Sequence, residues 1–262
     1  MRQDSPALLQ VENLAASYGK RQIVSGIGFS LSAGELCALI GLNGSGKTTL
    51  LKTVAGLLKA DTGRVRVAGR DTLELDERRR ARLMSYIPQR PSPIWGMTAL
   101  EVALMGANPY LGLFDSPKAS QRQAAGQALA RLGMAKDAGK DFGQLSEGQK
   151  QLVILARTLV QTAPIMLMDE PDSALDFYNR HLVLEKIREV AKTEVRAGLI
   201  TLHDPNLAMA YCDRLLLLRQ GRILRELRTE ELTPRAAEEA FSLLYGRVRI
   251  LEYEKGLLMV RA

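Results

Sequence analysis

The stretch Gly41-Leu-Asn-Gly-Ser-Gly-Lys-Thr-Thr49 matches G-x-x-x-x-G-K-[ST], a pattern whose glycines let consecutive backbone N–H groups turn inward on a phosphate. Lys47 adds a positive charge for the outer phosphates, and Thr48 offers a hydroxyl to Mg²⁺. The helix predicted to begin there directs its positive end at the same point. The predicted nucleotide ligands are Gly41, Asn43, Gly44, Ser45, Gly46, Lys47, Thr48 and Thr49.

The residues on either side of this phosphate loop predict an α/β arrangement. Residues 36–40 form a short apolar run that is typical of a buried parallel strand, and residues 49–55 have the pattern of a helix. Strand, loop and helix in this order are the context in which such a loop binds phosphate. Nucleotide binding by an α/β domain is therefore the first prediction.

Composition is that of an ordinary globular protein, with 46% hydrophobic and 25% charged residues among 262. The net charge of +7 does not distinguish nucleic acid, anionic lipid or simple solubility. Two cysteines argue against a disulfide scaffold, and both are predicted to be reduced core thiols. No stretch approaches about 18 consecutive apolar residues, and the N-terminus lacks an apolar signal core. We expect a soluble chain whose membrane role, if it has one, comes through a partner.

Two adjacent carboxylates, Asp169 and Glu170, follow the apolar run 165–168. The run predicts a central strand, which delivers its last residues to the sheet edge where α/β folds bind ligands. Neighbouring side chains on a strand point in opposite directions, so the two acids have separate roles. Asp169 suits a Mg²⁺ ion and Glu170 suits polarisation of an attacking water.

Gln89 and His203 also follow predicted strands, at residues 84–87 and 198–202. Each would stand at the same ligand-binding edge of the sheet. His203 could contact an outer phosphate and a water together, but a strand-end histidine is more often a hydrogen-bonded structural residue. Gln89 taken alone could equally be a surface loop residue.

Residues 91–155 carry helix signals and lack a strand signal, which indicates an inserted helical block. Thr98 and Glu101 form a capping box whose helix should end before Asn108, and Ser116 with Pro117 should begin a second helix. In Leu145-Ser-Glu-Gly-Gln149, Ser146 is placed to cap a third helix, and its N-terminus suits an anion. A plain capped helix is the other interpretation.

Tyr18 lies upstream of the phosphate loop, between the partly alternating runs 8–14 and 23–31 that predict β structure. It could stack on a nucleotide base, or be an ordinary half-buried strand aromatic.

In this order the motifs resemble those of the ATP-binding cassette family. The phosphate loop is similar to the family's Walker A motif, and Gln89 to its Q-loop. Leu145-Ser-Glu-Gly-Gln149 is similar to the signature motif, residues 165–170 to Walker B and residues 173–176 to the D-loop. His203 stands where the family has its switch histidine, and Tyr18 where it has an adenine-stacking aromatic.

The resemblance implies an α/β fold: a P-loop nucleotide-hydrolase core with an antiparallel β subdomain and an inserted α-helical subdomain. We expect the core, including a C-terminal hairpin, at 1–90 and 156–262, and the helical signature-motif subdomain at 91–155.

The resemblance also implies ATP hydrolysis with Mg²⁺. The implied catalytic residues are Lys47, Gln89, Glu170 and His203. The implied metal ligands are Thr48, Gln89 and Asp169. The implied remaining nucleotide contacts are Tyr18 within the chain and Ser146, Gly148, Gln149 and Asp176 across a head-to-tail homodimer.

The implied partners are two membrane-spanning permease subunits and, indirectly, a substrate-binding protein, without nucleic acid. The chain is then cytoplasmic and peripheral on the inner face of the cell membrane. Ile87-Pro-Gln89, Gly96-Met-Thr98, residues 105–114 and Leu244-Tyr-Gly246 are similar to ATPases of iron–siderophore, haem and cobalamin importers. A molybdate or tungstate importer is the main alternative. A soluble cassette acting on nucleic acid or ribosomes is a more distant one.

Two residues depart from the family pattern. Glu147 occupies a signature position that is usually glycine, and we expect its carboxylate to point away from the partner's nucleotide. Asp172 replaces a usual threonine or serine, in what should be an exposed turn.

Overall fold

The computed structural model describes residues 7–89, 94–112, 114–254 and 256–262. Its strands are β1 Ala7–Tyr18, β2 Arg21–Ser32, β3 Leu36–Ile40, β4 Thr62–Val67, β5 Arg70–Asp71, β6 Met84–Ile87, β7 Ile165–Asp169, β8 Ala197–Leu202, β9 Arg214–Arg219, β10 Arg222–Arg228, β11 Val248–Tyr253 and β12 Gly256–Arg261. Its α-helices are α1 Lys47–Val54, α2 Glu77–Ala81, α3 Ala99–Leu104, α4 Ala119–Arg131, α5 Glu147–Gln161, α6 Phe177–Thr193, α7 Pro205–Tyr211 and α8 Pro234–Tyr245.

The central sheet has the strand order β10-β9-β3-β8-β7-β6, and all neighbours are parallel except the β9–β10 hairpin. Every residue of β3, β7 and β8 is buried, as expected for parallel strands covered on both faces. The register pairs Ile40 with Leu202, Thr201 with Asp169, and Met168 with Ile87. The carboxyl ends of β3, β8, β7 and β6 therefore lie side by side, and the residues that follow them share one edge.

This sheet separates two hydrophobic cores. Alternate residues of β3 face opposite sides, with Leu36, Ala38 and Ile40 in one core and Cys37 and Leu39 in the other. The first core includes the helical block and the C-terminal elements. The second includes α1 and the inner face of an antiparallel sheet of order β2-β1-β4-β5. The α/β prediction with an antiparallel β region is confirmed.

The helical block follows the predicted capping signals with two differences. Thr98 and Glu101 form the expected capping box, and Ser146 forms one with Gln149. The first helix ends at Leu104 and continues as a 3₁₀ turn, Met105–Tyr110, which accommodates Pro109. The second begins at Ala119 with Lys118 as its N-cap, so the predicted start at Ser116 and Pro117 was two residues early.

The division into 1–90 with 156–262 and 91–155 stays a prediction. Residue 90, at the first boundary, lies outside the described residues, as do residues 91–93, and α5 crosses the boundary at 155. The predicted terminal hairpin is confirmed as β11 and β12. Two residues of the predicted motifs, Lys255 of this hairpin and Leu113 of the 105–114 motif, lie outside the described residues.

Cys37 and Cys212 are free and buried, and burial raises the pKa of both thiols, as expected of inert core cysteines. None of the helices in the described part of the chain combines the length and the apolar composition that a membrane span requires.

Candidate nucleotide site

The phosphate loop connects β3 to α1 at the carboxyl edge of the central sheet. Gly46 takes a left-handed backbone with φ of 106°, and a Cβ at Gly41 would lie 2.4 Å from the Leu218 carbonyl oxygen. Both positions therefore need glycine. The cleft over this loop has a volume of about 310 Å³. It is lined by Arg21, Ile23, Asn43, Gly44, Gly46, Lys47, Thr48, Thr49 and Glu170.

Lys47 spans the loop from the first residue of α1. Its Nζ donates hydrogen bonds to the carbonyl oxygens of Gly41 at 2.8 Å and Leu42 at 3.4 Å. Burial lowers the pKa of Lys47, while the charges of Glu170 and Asp169 act to raise it. The charges of these two carboxylates therefore favour the ammonium form of Lys47 at the cleft, where a phosphate can also reach it.

Asp169 is almost fully buried at the end of β7, and hydroxyl groups surround its carboxylate. Thr48 Oγ1 donates to Asp169 Oδ1 at 3.2 Å, and Thr201 Oγ1 donates to the same oxygen at 2.9 Å. The Tyr86 hydroxyl donates to Asp169 Oδ2 at 3.4 Å, and burial together with this carboxylate raises the pKa of Tyr86. The carboxylate is therefore fixed beside Thr48 at the start of α1.

Glu170 leaves the line of the strand, because its backbone adopts a left-handed conformation with φ of 47°. Its N–H donates to Thr201 Oγ1 at 2.8 Å. Its carboxylate accepts a hydrogen bond from Gln89 Nε2, and Glu170 Oε1 lies 2.5 Å from His203 Nε2. The structure thus brings together three residues that the sequence predicted separately: Gln89, Glu170 and His203.

The residues predicted to act across a dimer do not line the cleft of their own chain. Ser146 and Gln149 exchange capping hydrogen bonds at the start of α5. Asp176 caps α6 by accepting from the Asn179 N–H at 2.8 Å, and a Cβ at Gly148 would lie 2.7 Å from the Asn179 side chain. These local contacts leave their predicted role in a partner's site as a prediction.

Tyr18, the predicted base-stacking residue, is half exposed at the end of β1. It is paired in the sheet with Arg21, which lines the cleft. Its stacking role also stays a prediction.

Two site residues were missed by the sequence reasoning. Thr201 interrupts the apolar run of β8 directly opposite Asp169, and Tyr86 precedes Gln89 on β6. A polar residue inside an otherwise apolar central strand is the signal that could have identified Thr201. Its significance depends on the β7–β8 register, which the sequence does not supply.

The two departures from the family pattern have different outcomes. Glu147 points outward as expected: its side chain is 58% exposed and lies 2.8 Å from Lys150 Nζ. The exposed turn expected at Asp172 was wrong, because this residue is only 4% exposed. Burial raises the pKa of the Asp172 carboxyl, and its Oδ2 lies 3.7 Å from Arg180 Nε, too far for a hydrogen bond.

A larger cleft of about 620 Å³ lies at the opposite edge of the sheet, where β3 and β9 begin. Two of the charged residues lining it pair with each other, Lys192 Nζ with Asp213 at 2.8 Å. It lacks the glycine loop, the helix N-terminus and the strand-end acids that meet at the smaller cleft. The chemistry therefore points to the phosphate-loop cleft.

Comparisons with known proteins agree with this geometry. A family model described as "ABC transporter" matches residues 24–173. The chain is 34% identical over 223 residues to the probable iron chelatin transport ATP-binding protein of Helicobacter pylori, covering 85% of this chain and 88% of the relative. It is 40% identical over 211 residues to the hemin import ATP-binding protein HmuV of Streptomyces coelicolor, covering 80% and 74%.

Solved structures give the same result. One, described as an inward-facing conformation of a metal-chelate type ABC transporter, superposes with a TM-score of 0.80 at 28% identity, over 97% of this chain and 96% of the other. A dimeric ATP-binding cassette in a post-hydrolysis state, bound to ADP and Pi, superposes with a TM-score of 0.74 at 26% identity, over 86% and 100%.

Proposed function

Because this chain belongs to the ABC transporter family of nucleotide-binding ATPases, we propose that it powers uptake of an iron(III)–siderophore or related metal chelate, such as haem or cobalamin. The transport itself runs through separate membrane subunits. The observation that carries the cargo proposal is the likeness, over nearly the full length of both chains, to a metal-chelate type transporter. The names of the iron chelatin and hemin relatives support it.

The hydrolytic step is phosphoryl transfer to water, for which positioning and charge stabilisation supply most of the catalysis. Lys47 and the loop N–H groups hold the phosphates. Glu170 accepts a hydrogen bond from the attacking water, and His203 contacts the outer phosphate. The contacts of Glu170 with Gln89 and His203 support this assignment, since they hold the carboxylate at the edge of the phosphate cleft.

Mg²⁺, when bound with ATP, neutralises charge on the outer phosphates. The Thr48 hydroxyl and the Asp169 carboxylate are hard oxygen donors, and their oxygens lie 3.2 Å apart beside the phosphate loop. This set suits Mg²⁺, which takes few protein ligands and completes its shell with phosphate and water. Gln89 would join them through its side-chain oxygen. Within the described ranges no three His, Cys, Asp or Glu side chains converge on a metal site.

We further propose that two copies associate head to tail around ATP, with Ser146, Gly148, Gln149 and Asp176 of one copy closing over the nucleotide of the other. The dimeric ADP-bound cassette supports this arrangement. The outward pairing of Glu147 with Lys150 keeps its charge partly neutralised near that interface. The helical block and Gln89 would meet two permease subunits, which receive cargo from a substrate-binding protein. The chain would then sit at the cytoplasmic face of the membrane.

Glu170→Gln tests the hydrolytic proposal. The variant should keep ATP binding, lose nearly all turnover, and allow ATP to hold a dimer that is detectable by size-exclusion chromatography. Glu185→Gln, an exposed substitution on α6, is the matched control and should behave as wild type. Normal turnover by the Glu170 variant would remove this residue from the proposed role.

The cargo proposal is tested by reconstituting the chain with its membrane subunits in vesicles. ATPase stimulation is compared for ferric siderophore, haem, cobalamin and molybdate, each with its binding protein. Stimulation by a metal chelate supports the proposal. Stimulation by molybdate alone keeps the mechanism and changes the cargo. Basal ATPase without any stimulation favours a non-transport cassette.

A further inference from the structure

The C-terminal hairpin is attached to the helix that follows His203 by a two-point hydrogen bond. Asn206 Nδ2 donates to the Met259 carbonyl oxygen at 3.2 Å, and the Met259 N–H donates to Asn206 Oδ1 at 2.7 Å. One side-chain amide thus satisfies both main-chain groups of an edge-strand residue, much as a neighbouring strand would. The two residues are 53 positions apart, so the contact is purely tertiary.

At the opposite edge of the hairpin, a helix side chain again bonds a main-chain group, here through one hydrogen bond. The Ile250 N–H on β11 donates to the Glu238 carboxylate of α8 at 3.3 Å. Ile250 and Met259 face each other across the hairpin, and the outward bonds of both residues identify them as a pair that does not exchange ladder hydrogen bonds. The hairpin therefore connects α8 on one side with α7 on the other.

A short hydrogen-bonded segment also connects Asn206 to His203. Its backbone N–H donates to Asp204 Oδ1 at 2.8 Å, and Asp204 is the N-cap of α7, directly after His203. The hydroxyl of Tyr245, at the end of α8, is buried and has no hydrogen-bond partner among the described residues. Burial, with a smaller contribution from the charge of Asp204, raises the pKa of Tyr245 to about 12. Both C-terminal elements thus adjoin the short segment that carries the histidine.

Apolar packing reinforces the connection. Leu207 and Ala208 of α7 share a core with Val248 and Ile250 of the hairpin. α7 has only seven residues, Pro205–Tyr211, too few to hold its orientation without tertiary contacts. Its position, and with it that of His203, depends on what packs against it.

We propose that the C-terminal hairpin is a positioning element for His203, and that Asn206 is the positioning residue through which it acts. The proposal deepens the ATPase function and rests on it. The hairpin fixes α7, α7 fixes the Asp204 cap, and the cap fixes the histidine against Glu170. Loss of the Asn206 contact should therefore lower the rate of hydrolysis without weakening ATP binding, since Lys47 and the phosphate loop lie elsewhere.

The experiment compares three variants of the full chain. Asn206→Ala removes the amide. Met259→Pro removes the donor N–H, which points away from the ladder, a position where proline is tolerated. Met259→Ala keeps that N–H and loses only the side chain. For each we measure kcat, KM for ATP, the equilibrium Kd for ATP, and the thermal unfolding midpoint.

The first two variants should each lower kcat roughly tenfold, since small misplacements of a reacting group are costly. Kd for ATP should stay within about twofold of wild type, and Met259→Ala should keep wild-type kcat. The double variant Asn206→Ala with Met259→Pro should be no slower than Asn206→Ala alone, because that substitution already removes both hydrogen bonds to Met259.

If the wild-type chain hydrolyses ATP and Asn206→Ala keeps the wild-type kcat, this inference is overturned while the ATPase proposal stands. Equal losses of kcat in Met259→Ala and Met259→Pro would also overturn it, since they would indicate general packing rather than the amide contact. Absence of turnover in the wild-type chain would overturn the ATPase proposal together with this one.

Discussion

Replacing Thr201 with valine isolates the contribution of one buried hydroxyl to both strand-end acids. Thr201 is fully buried, and its Oγ1 donates to Asp169 Oδ1 at 2.9 Å while accepting from the Glu170 N–H at 2.8 Å. Valine has nearly the same shape, so the change removes two hydrogen bonds without opening a cavity.

The magnitude follows from these two bonds. A hydrogen bond to a charged group contributes about 1.5–3 kcal/mol, and a buried donor left unsatisfied costs about 1–3 kcal/mol. The second figure applies to the Glu170 N–H, whose residue already has an unfavourable left-handed backbone. Since relaxation offsets part of both terms, we expect Thr201→Val to lower the free energy of unfolding by about 3 kcal/mol. ATP turnover should fall at least tenfold, because Asp169 and Glu170 both lose a restraint.

Urea denaturation, analysed by linear extrapolation, measures the free energy of unfolding, and a phosphate-release assay measures ATP turnover. Thr201→Ser is the matched control: it keeps the hydroxyl and should lose only about 1 kcal/mol for the missing methyl group. If the valine and serine variants had equal stability and turnover, the hydroxyl would not support the two acids, and the reasoning would fail.

Two further predictions concern stability. Burial raises the pKa of the Asp172 carboxyl, so the folded state binds the carboxyl proton more tightly than the unfolded chain does. The stability that the protonated carboxyl contributes is therefore complete below the unfolded-state pKa, and it is lost as pH rises through the folded-state pKa. Asp172→Asn should therefore raise the free energy of unfolding at pH 8, with a gain that shrinks as pH falls toward 4; a gain independent of pH would contradict this. A Cβ at Gly106 would lie 2.1 Å from the Arg157 carbonyl oxygen, so Gly106→Ala should cost about 3 kcal/mol in denaturation experiments. Gly126→Ala, with nothing within 4 Å, should be neutral or stabilising, and equal effects of the two changes would count against the steric argument.

The local features were predictable from the sequence because their signals are local. The capping boxes at Thr98 and Ser146, the all-buried strand Leu36–Ile40 and the phosphate loop depend on neighbouring residues alone. Gln89, Glu170 and His203 could be expected at one sheet edge, since each follows an apolar strand.

What the sequence did not reveal depends on tertiary pairing. Thr201 matters only because β8 lies beside β7 in a particular register. Asp172 is buried, with its carboxylate facing Arg180 of α6. Residue spacing in the sequence does not predict this burial. The strand order, with β3 between β8 and β9, is likewise a property of the assembled sheet.

That strand order has a consequence for how the chain is made. β3 is synthesised before both of its sheet neighbours, β8 (Ala197–Leu202) and β9 (Arg214–Arg219). Until β8 and β9 leave the ribosome, β3 and the phosphate loop that follows it have no sheet to join. The nascent chain therefore carries an unpaired strand edge until β8 and β9 follow, a condition under which chains aggregate or recruit chaperones.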